Sequence, residues 1–395
     1  MPASPAALAP AAPLAPGWRR RRTRFLREGL VFVGVVLALG LAAGSRPNNL
    51  LVWVFGVLVA ALLVSGFVSG FMMMPIRALW LEPRRGRVGE PLLVRYEVSN
   101  HSRRLPAFDI HVGEFQPSAG LAQVGEAWVL HVGPRETVHA EAVFRPARRG
   151  RVRLDAFEAW TSFPFGLMRK SVRFDATGEV LIHPEIRPLR PEVLSRVTAG
   201  GLGGQRLSSE SGGSDDFFGV REYRPGDSVR HIAWKRLAGT GRLATIERSR
   251  AVPPRVRILL DLRRPTSDLR TTDSEDPRDL EERAIVLAAS FVALADRLGY
   301  EHALSVAGLP IAPMALRRGH FHREKIMSAL AALDLDEPRL PGNGLSTSDE
   351  RTTLLVIHPD RVDISIAPEQ AWHFTARELD ALADQPAAAA SGAPA

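Results

Sequence analysis

Apolar positions along this 395-residue chain fall into three regimes with different periods. The first is continuous. Residues 29–45 carry no charged side chain, and after a short link, Arg46-Pro47-Asn48-Asn49, no charge appears before Arg77. The first stretch is at the short end of what spans a bilayer as a helix, and the apolar part of the second, 50–71, is long enough to cross with tilt. The link is built of turn-forming residues and is too short for a domain. A helical hairpin is predicted. A secretory signal ending near Ala42-Ala43-Gly44-Ser45 fits less well, because a second apolar stretch follows at once.

The second regime has period two. Between about residues 81 and 183, the run 91–98 alternates near its end, and the runs 127–132, 137–144 and 151–154 follow, separated by turn signals such as Ser99-Asn100 and Gly133-Pro134. Short strands with regular turns predict an antiparallel, β-sandwich-like domain. Ser162-Phe163-Pro164-Phe165-Gly166-Leu167 reads as an apolar corner that caps its core.

The third regime alternates strand and helix. The run 256–262 is a buried-strand pattern. Residues 278–298 place Leu280, Ala284, Leu287, Ala288, Phe291, Ala295 and Leu298 on one helical stripe. A strand at 304–306, a helix at 322–333 and a strand at 353–357 follow. Alternation of this kind predicts an open α/β domain with a mostly parallel sheet. The domain map expected is therefore a basic, disordered tail (1–28), two transmembrane helices (29–76), the β-domain (77–190), a linker with a charged and aromatic segment (191–250), the α/β domain (251–375) and an Ala-rich tail (376–395). The Gly- and Ser-rich run 198–214 lacks the Gly-Lys-Ser/Thr ending of a phosphate loop, so a flexible linker is the better reading.

Charge changes the picture in one respect. The formal net charge is +8, mostly from arginine, and six arginines (19, 20, 21, 22, 24 and 27) precede the first apolar stretch, while Arg77, Arg84, Arg85 and Arg87 follow the second. Only Arg46 lies between them. The positive-inside rule then puts both ends of the hairpin in the cytoplasm and predicts a multi-pass protein of the inner (plasma) membrane. The remaining arginines are scattered and no aromatic-basic platform is visible, so no nucleic-acid partner is expected; the lipid bilayer is. There is no cysteine, which excludes disulfides, thiol nucleophiles and Cys-bound zinc. His320 and His322, two apart at a helix start, do not face one metal site.

The densest chemistry runs from Asp216 to Lys235. Within it Arg224-Pro225-Gly226-Asp227 has the residues of a type II turn. Asp227 is placed to cap a following helix, whose buried stripe would be Val229, Ile232, Ala233 and Leu237. On that helix Arg230 and Trp234 would lie four apart and stack as cation on ring. Arg221 and Tyr223 alternate with Val220 in an extended run, and 242–247 looks like a strand. Arg, Tyr and Trp are favoured at interface hot spots, so the segment is either a surface that grips a partner or an internal clasp. It offers no nucleophile–base pair: Ser228 and His231 lack a third orienting group.

This segment resembles the hallmark of the domain of unknown function 58 (DUF58) family, Asp-Phe-x-Gly-x-Arg-x-Tyr-x-x-Gly-Asp-x-x-Arg-x-Ile-x-Trp, with Asp216, Phe217, Gly219, Arg221, Tyr223, Gly226, Asp227, Arg230, Ile232 and Trp234 in place. The layout over roughly residues 25–360 is also similar to that family's: two spans, a β-rich domain, the hallmark, and a von Willebrand factor A-like domain. There are two departures. Phe163 replaces the Asp of the family's frequent Asp-Pro-Phe-Gly-Leu. Metal-binding type A domains carry Asp-x-Ser-x-Ser after the first strand; this chain has Asp261-Leu262-Arg263-Arg264-Pro265, with arginine where both hydroxyl ligands are needed, so no metal or other cofactor is expected. The resemblance implies work beside a MoxR-type AAA+ ATPase and a transglutaminase-like membrane protein. The expected function is a membrane-anchored, non-enzymatic adaptor or scaffold for envelope assembly or maintenance. The alternative is an enzyme with its site on the central Asp/Arg/Trp segment.

Overall fold

A computed structural model of the chain describes residues 21–45, 48–82, 85–114, 120–200, 217–248, 253–272, 275–340, 352–367 and 371–384. It divides into two compact units, residues 1–183 and 184–395.

The first unit opens with a strand, β1 (Arg21–Phe25), followed by α1 (Arg27–Ser45) and α2 (Asn49–Met73). Both helices are long and apolar enough to cross a membrane. Most of their side chains are exposed within the molecule, as lipid-facing helices require. Asn48 caps α2 by accepting the Leu50 N–H at 2.9 Å. Nine strands follow: β2 (Ile76–Glu82), β3 (Arg85–Arg87), β4 (Leu92–Asn100), β5 (Ala107–Glu114), β6 (Leu121–Gly125), β7 (Ala127–Val132), β8 (Thr137–Pro146), β9 (Gly150–Thr161) and β10 (Met168–His183). They form two sheets, β1-β10-β9-β5-β7 with β3 added to β10, and β2-β4-β8-β6. The inward residues of both sheets share one core; Tyr96 of β4 meets Phe157 of β9 with ring centroids 5.1 Å apart. This is the sandwich that alternation predicts, with Phe163 of the corner stacked on Phe108 at 5.2 Å. The tail expected over 1–28 needs correction. Arg21–Phe25 pair antiparallel with Phe25 opposite Met168 and Arg21 opposite Val172. An arginine run has no local reason to extend; an open sheet edge supplies it.

The second unit holds α3 (Pro191–Gly200), a hairpin of β11 (Phe217–Glu222) and β12 (Ala244–Arg248) enclosing α4 (Trp234–Thr240), and then the α/β part. The expected linker 191–250 is thus structured at both ends; its Gly-rich part, 201–216, lies outside the described residues. The α/β part comprises β13 (Arg255–Asp261), α5 (Pro277–Arg297), β14 (Glu301–Ala307), α6 (His320–Ala331), β15 (Thr353–His358), β16 (Trp372–Thr375) and α7 (Leu379–Leu382). Its sheet is β14-β13-β15-β16 with every pairing parallel. The residues at 376–384, expected as tail, instead seat Ala376 and Leu379 in the core. Asp276 caps α5 and Pro277 fits its first turn. The α5 and α6 faces pack with Ile258, Leu260, Leu355 and Ile357. Leu259, Leu354 and Val356 face the other way and are covered by Ile366. Burial on both faces is why these strands read as continuous apolar runs.

Candidate functional site

The central segment folds locally as its sequence directs up to Asp227 and differently after it. Gly226 has φ of +107° and the Asp227 N–H donates to the Arg224 carbonyl at 3.0 Å, so the Pro-Gly turn forms as expected. Asp227 does not cap a helix. Its carboxylate accepts both Nη1 (2.8 Å) and Nη2 (2.7 Å) of Arg221, the Arg224 N–H (2.9 Å) and the Thr245 hydroxyl (3.3 Å). The Arg221 bonds, with the Arg224 N–H, hold its pKa down to about 2. The predicted 229–237 helix is also broken. A 3₁₀ turn at Val229–His231 gives way to extended Ile232, which bridges to Thr245, and only then does α4 begin. Cross-strand pairing with β12 outcompetes helix continuation here.

That break rearranges the predicted stripe. Ile232 is buried, but Val229 is 63% exposed and Trp234 58% exposed, with Leu243 also outside. Arg230 and Trp234 do not stack on one another. Arg230, Lys235 and Arg236 are exposed. Tyr223 is half-buried and continues the hairpin, its N–H donating to the Leu243 carbonyl at 3.1 Å. Phe217 and Gly219 lie in β11, and Asp216 falls outside the described residues. Within the segment Arg221 and Asp227 form an internal clasp, while Val229, Arg230, Trp234 and Leu243 are each exposed.

A second cluster, largely missed from sequence, lies at the carboxyl ends of β13 and β15. Chain order against spatial order makes this the switch point of the sheet: the chain leaving β13 reaches α5 on one face, whereas the chain leaving β15 covers the other through Ile366. Asp261 ends β13 and His358 ends β15. The Asp261 carboxylate accepts Arg263 Nε at 2.9 Å and His358 Nδ1 at 3.1 Å. Arg263 also reaches Asp363 (3.1 Å), Arg264 joins Asp363 (3.2 Å) to Asp360 (3.3 Å), and Asp360 accepts the Arg270 N–H (3.1 Å). Burial alone would raise the Asp261 pKa, but the His358 and Arg263 bonds outweigh it and bring it to about 2. His358 Nε2 lies 2.9 Å from His373 Nδ1. A carboxylate only accepts, so His358 carries its proton on Nδ1, and in the neutral pair His373 donates to it. Burial and then the neighbouring His358 push the His373 pKa down. Asp360 and Asp363 follow the 353–357 run directly, which was the available signal: polar residues just past a parallel strand.

These residues do not fit a metal. In the Asp-x-Ser-x-Ser spacing, Arg263 takes the first hydroxyl position and Pro265 the second, correcting the expectation of arginine at both. The Arg263 guanidinium itself sits on Asp261, and no group of three or more candidate ligands occurs among the described residues. Titration calorimetry of the full chain with Mg²⁺ or Ca²⁺ is expected to give no heat that Asp261→Ala removes.

No family model matches the chain, and no curated protein matches it. Two solved structures illustrate partial likenesses. A solution structure of the CARDB domain of a Pyrococcus furiosus protein is 12% identical, covers 27% of this chain and 94% of that one, and has a TM-score of 0.18. The sporulation control protein Spo0M from Bacillus subtilis is 12% identical over 34% of this chain and 56% of that one, with a TM-score of 0.17.

Proposed function

We propose that this chain is a membrane-anchored, non-enzymatic adaptor of the DUF58 type, with a von Willebrand factor A-like domain, that docks a MoxR-type AAA+ ATPase at the inner membrane. The observation that carries the reading is the exposed Trp234, standing with Val229, Leu243 and Arg230 on a hairpin whose turn is locked by the Arg221–Asp227 pair. Trp and Arg are the residue types enriched at interface hot spots. The self-neutralised Asp261–Arg263 pair supports protein docking over metal-mediated adhesion. A transglutaminase-like membrane protein is the second expected partner. The enzymatic alternative draws its only support from the His373–His358–Asp261 chain, since Asp227 in the central segment is held by Arg221 and not by a base.

Two experiments test this. Trp234→Ala is expected to leave the melting temperature of the full chain unchanged and to weaken capture of the co-encoded AAA+ ATPase at least tenfold, the usual scale of a hot spot. Unchanged capture, or no capture by the wild type with or without nucleotide, sinks the adaptor reading. Topology is tested separately. A reporter fused after residue 90 is expected to show cytoplasmic activity, because arginines flank both outer ends of the hairpin; periplasmic activity would invert the orientation.

A further inference from the structure

The corner between β9 and β10 is pressed into the base of the helical hairpin. The Leu26 N–H donates to the Leu167 carbonyl at 3.2 Å. A Cβ on Gly29 would lie 1.9 Å from that same carbonyl oxygen, so the first turn of α1 approaches the corner as only glycine permits. On the other helix, a Cβ on Gly66 would lie 3.1 Å from the Met168 side chain. Gly66 is seven residues before the end of α2, or about 10 Å along the helix axis. Ser65, Ser69, Met72 and Met73 of α2 are buried, while Phe67 and Phe71 remain exposed. The corner therefore stands alongside the apolar body of α2 and not beyond its end. At its tip Phe165 is 55% exposed, although Phe163, two residues earlier, is partly buried against the core.

Strand β1 adds a graded edge to this corner. Its register sets Phe25 opposite Met168, nearest the helices, then Arg24 opposite Arg169 and Thr23 opposite Lys170. Along this edge Phe25 and Met168 thus lie nearest the hairpin, with Arg24 and Lys170 one and two strand positions further out, each step about 3.4 Å, while Arg27 opens α1 itself. Like charges directly opposite one another destabilise a strand pair unless an anion lies between them. Here Arg24 faces Arg169, and Arg24, Arg27 and Lys170 have no carboxylate partner among the described residues. Arg169 stacks on Trp160 at 4.7 Å, and its Nε is buried without a partner. The only acid between residues 21 and 45 is Glu28. Apolar groups at the depth of the acyl chains and cations at the depth of the phosphates match the layering of a bilayer interface.

We propose that β1 and the β9–β10 corner form an anionic-phospholipid site, with Phe165 and Phe25 inserted at the acyl boundary and Arg24, Arg27, Arg169 and Lys170 holding headgroup phosphates. The occupant is the bilayer's own anionic lipid, continuous with the surface of α1 and α2. The basic N-terminal run is then a docked strand that fixes the sandwich against the membrane, in place of a loose tether. This inference rests on the reading of α1 and α2 as membrane-spanning, and the test separates the two.

The chain has no cysteine, so single-cysteine variants of the full protein can be spin-labelled without background. Labels at Phe165→Cys, at Val57→Cys in α2 and at Phe321→Cys on α6 are compared in vesicles of phosphatidylcholine with phosphatidylglycerol. Expected is an oxygen-accessible, lipid-phase label at 57, an interfacial label at 165 and an aqueous label at 321. An aqueous label at 165 with a lipid-phase label at 57 overturns this inference alone; an aqueous label at 57 overturns the membrane reading and this inference with it. In a second arm, spin-labelled phosphatidylglycerol is expected to associate with the protein in preference to phosphatidylcholine. Each of Arg24→Gln, Arg27→Gln and Lys170→Gln is expected to reduce that preference about fivefold. Inorganic phosphate is not expected to compete. A preference that survives all three substitutions, in a protein whose 165 label is still interfacial, overturns the headgroup assignment.

Discussion

Arg339→Ala is expected to destabilise the second unit by about 3–5 kcal/mol, the usual cost of stripping one partner from a buried ion pair. Glu281 lies on α5 between the core residues Leu280 and Ala284 and is wholly inaccessible. Arg339 Nη2 approaches its carboxylate at 2.6 Å and also donates to the Leu335 carbonyl at 3.0 Å. The Thr266 hydroxyl donates to the other oxygen at 2.9 Å, while Arg278 is 3.9 Å away. Burial raises the Glu281 pKa despite these partners. Without Arg339 the carboxyl would take up a proton or stay charged and uncompensated, and either lowers stability. Replacing both partners together, Glu281→Leu with Arg339→Met, is expected to recover most of the loss, since a well-packed apolar pair is often as stable as a buried ionic one. Denaturant unfolding of the full chain, read through hydrogen exchange at the β13 amides, checks both; a loss under 1 kcal/mol for Arg339→Ala contradicts the account.

Acid is expected to act on the same unit through the switch point. Asp261 titrates at about 2 in the folded chain against an ordinary value of 3.8. A depressed carboxylate contributes stability that is present above the unfolded value and is lost as pH falls through the folded one. The window is therefore from about pH 4 down to about 2, and the contribution is on the order of 2 kcal/mol. Asp227 and Glu275, each brought to about 2 by an arginine, titrate in the same window, so the wild-type curve alone does not isolate Asp261. The comparison is with Asp261→Asn, which is expected to be less stable at pH 6 and to lose less on acidification. Parallel curves for the two proteins across this window would show that Asp261 contributes no proton linkage.

The sequence carried different amounts of information in different places. The sandwich strands and α5 were legible because a single period covers much of each: Val94–Val98 alternates apolar and polar residues, and the stripe from Leu280 to Ala295 repeats every three or four residues. The Arg224–Asp227 turn was legible because proline and glycine restrict backbone angles locally. The helix after it was not. Val229, Ile232, Ala233 and Leu237 have helical spacing, yet Ile232 is taken by an antiparallel bridge to Thr245, a residue of β12 beyond α4. Arg21–Phe25 was read as tail for the converse reason: nothing in its own residues favours a strand, and β10 supplies the pairing.

Local chemistry thus determined the two apolar helices, the alternating β-region, the strand–helix order, the Pro-Gly turn and the absence of thiol chemistry. Each depends on residues within a few positions of one another. Only the tertiary structure decided which polar residues meet. Asp261 and His358 belong to strands nearly a hundred residues apart, and parallel pairing with crossover connections brings their ends together. Tertiary structure also turned Asp227 from a cap into the partner of Arg221, exposed Trp234, and set Arg24 against Arg169 beside the hairpin. Periodicity reports which face of an element is buried; it carries no record of which distant element buries it, and charged side chains find their partners only once that is settled.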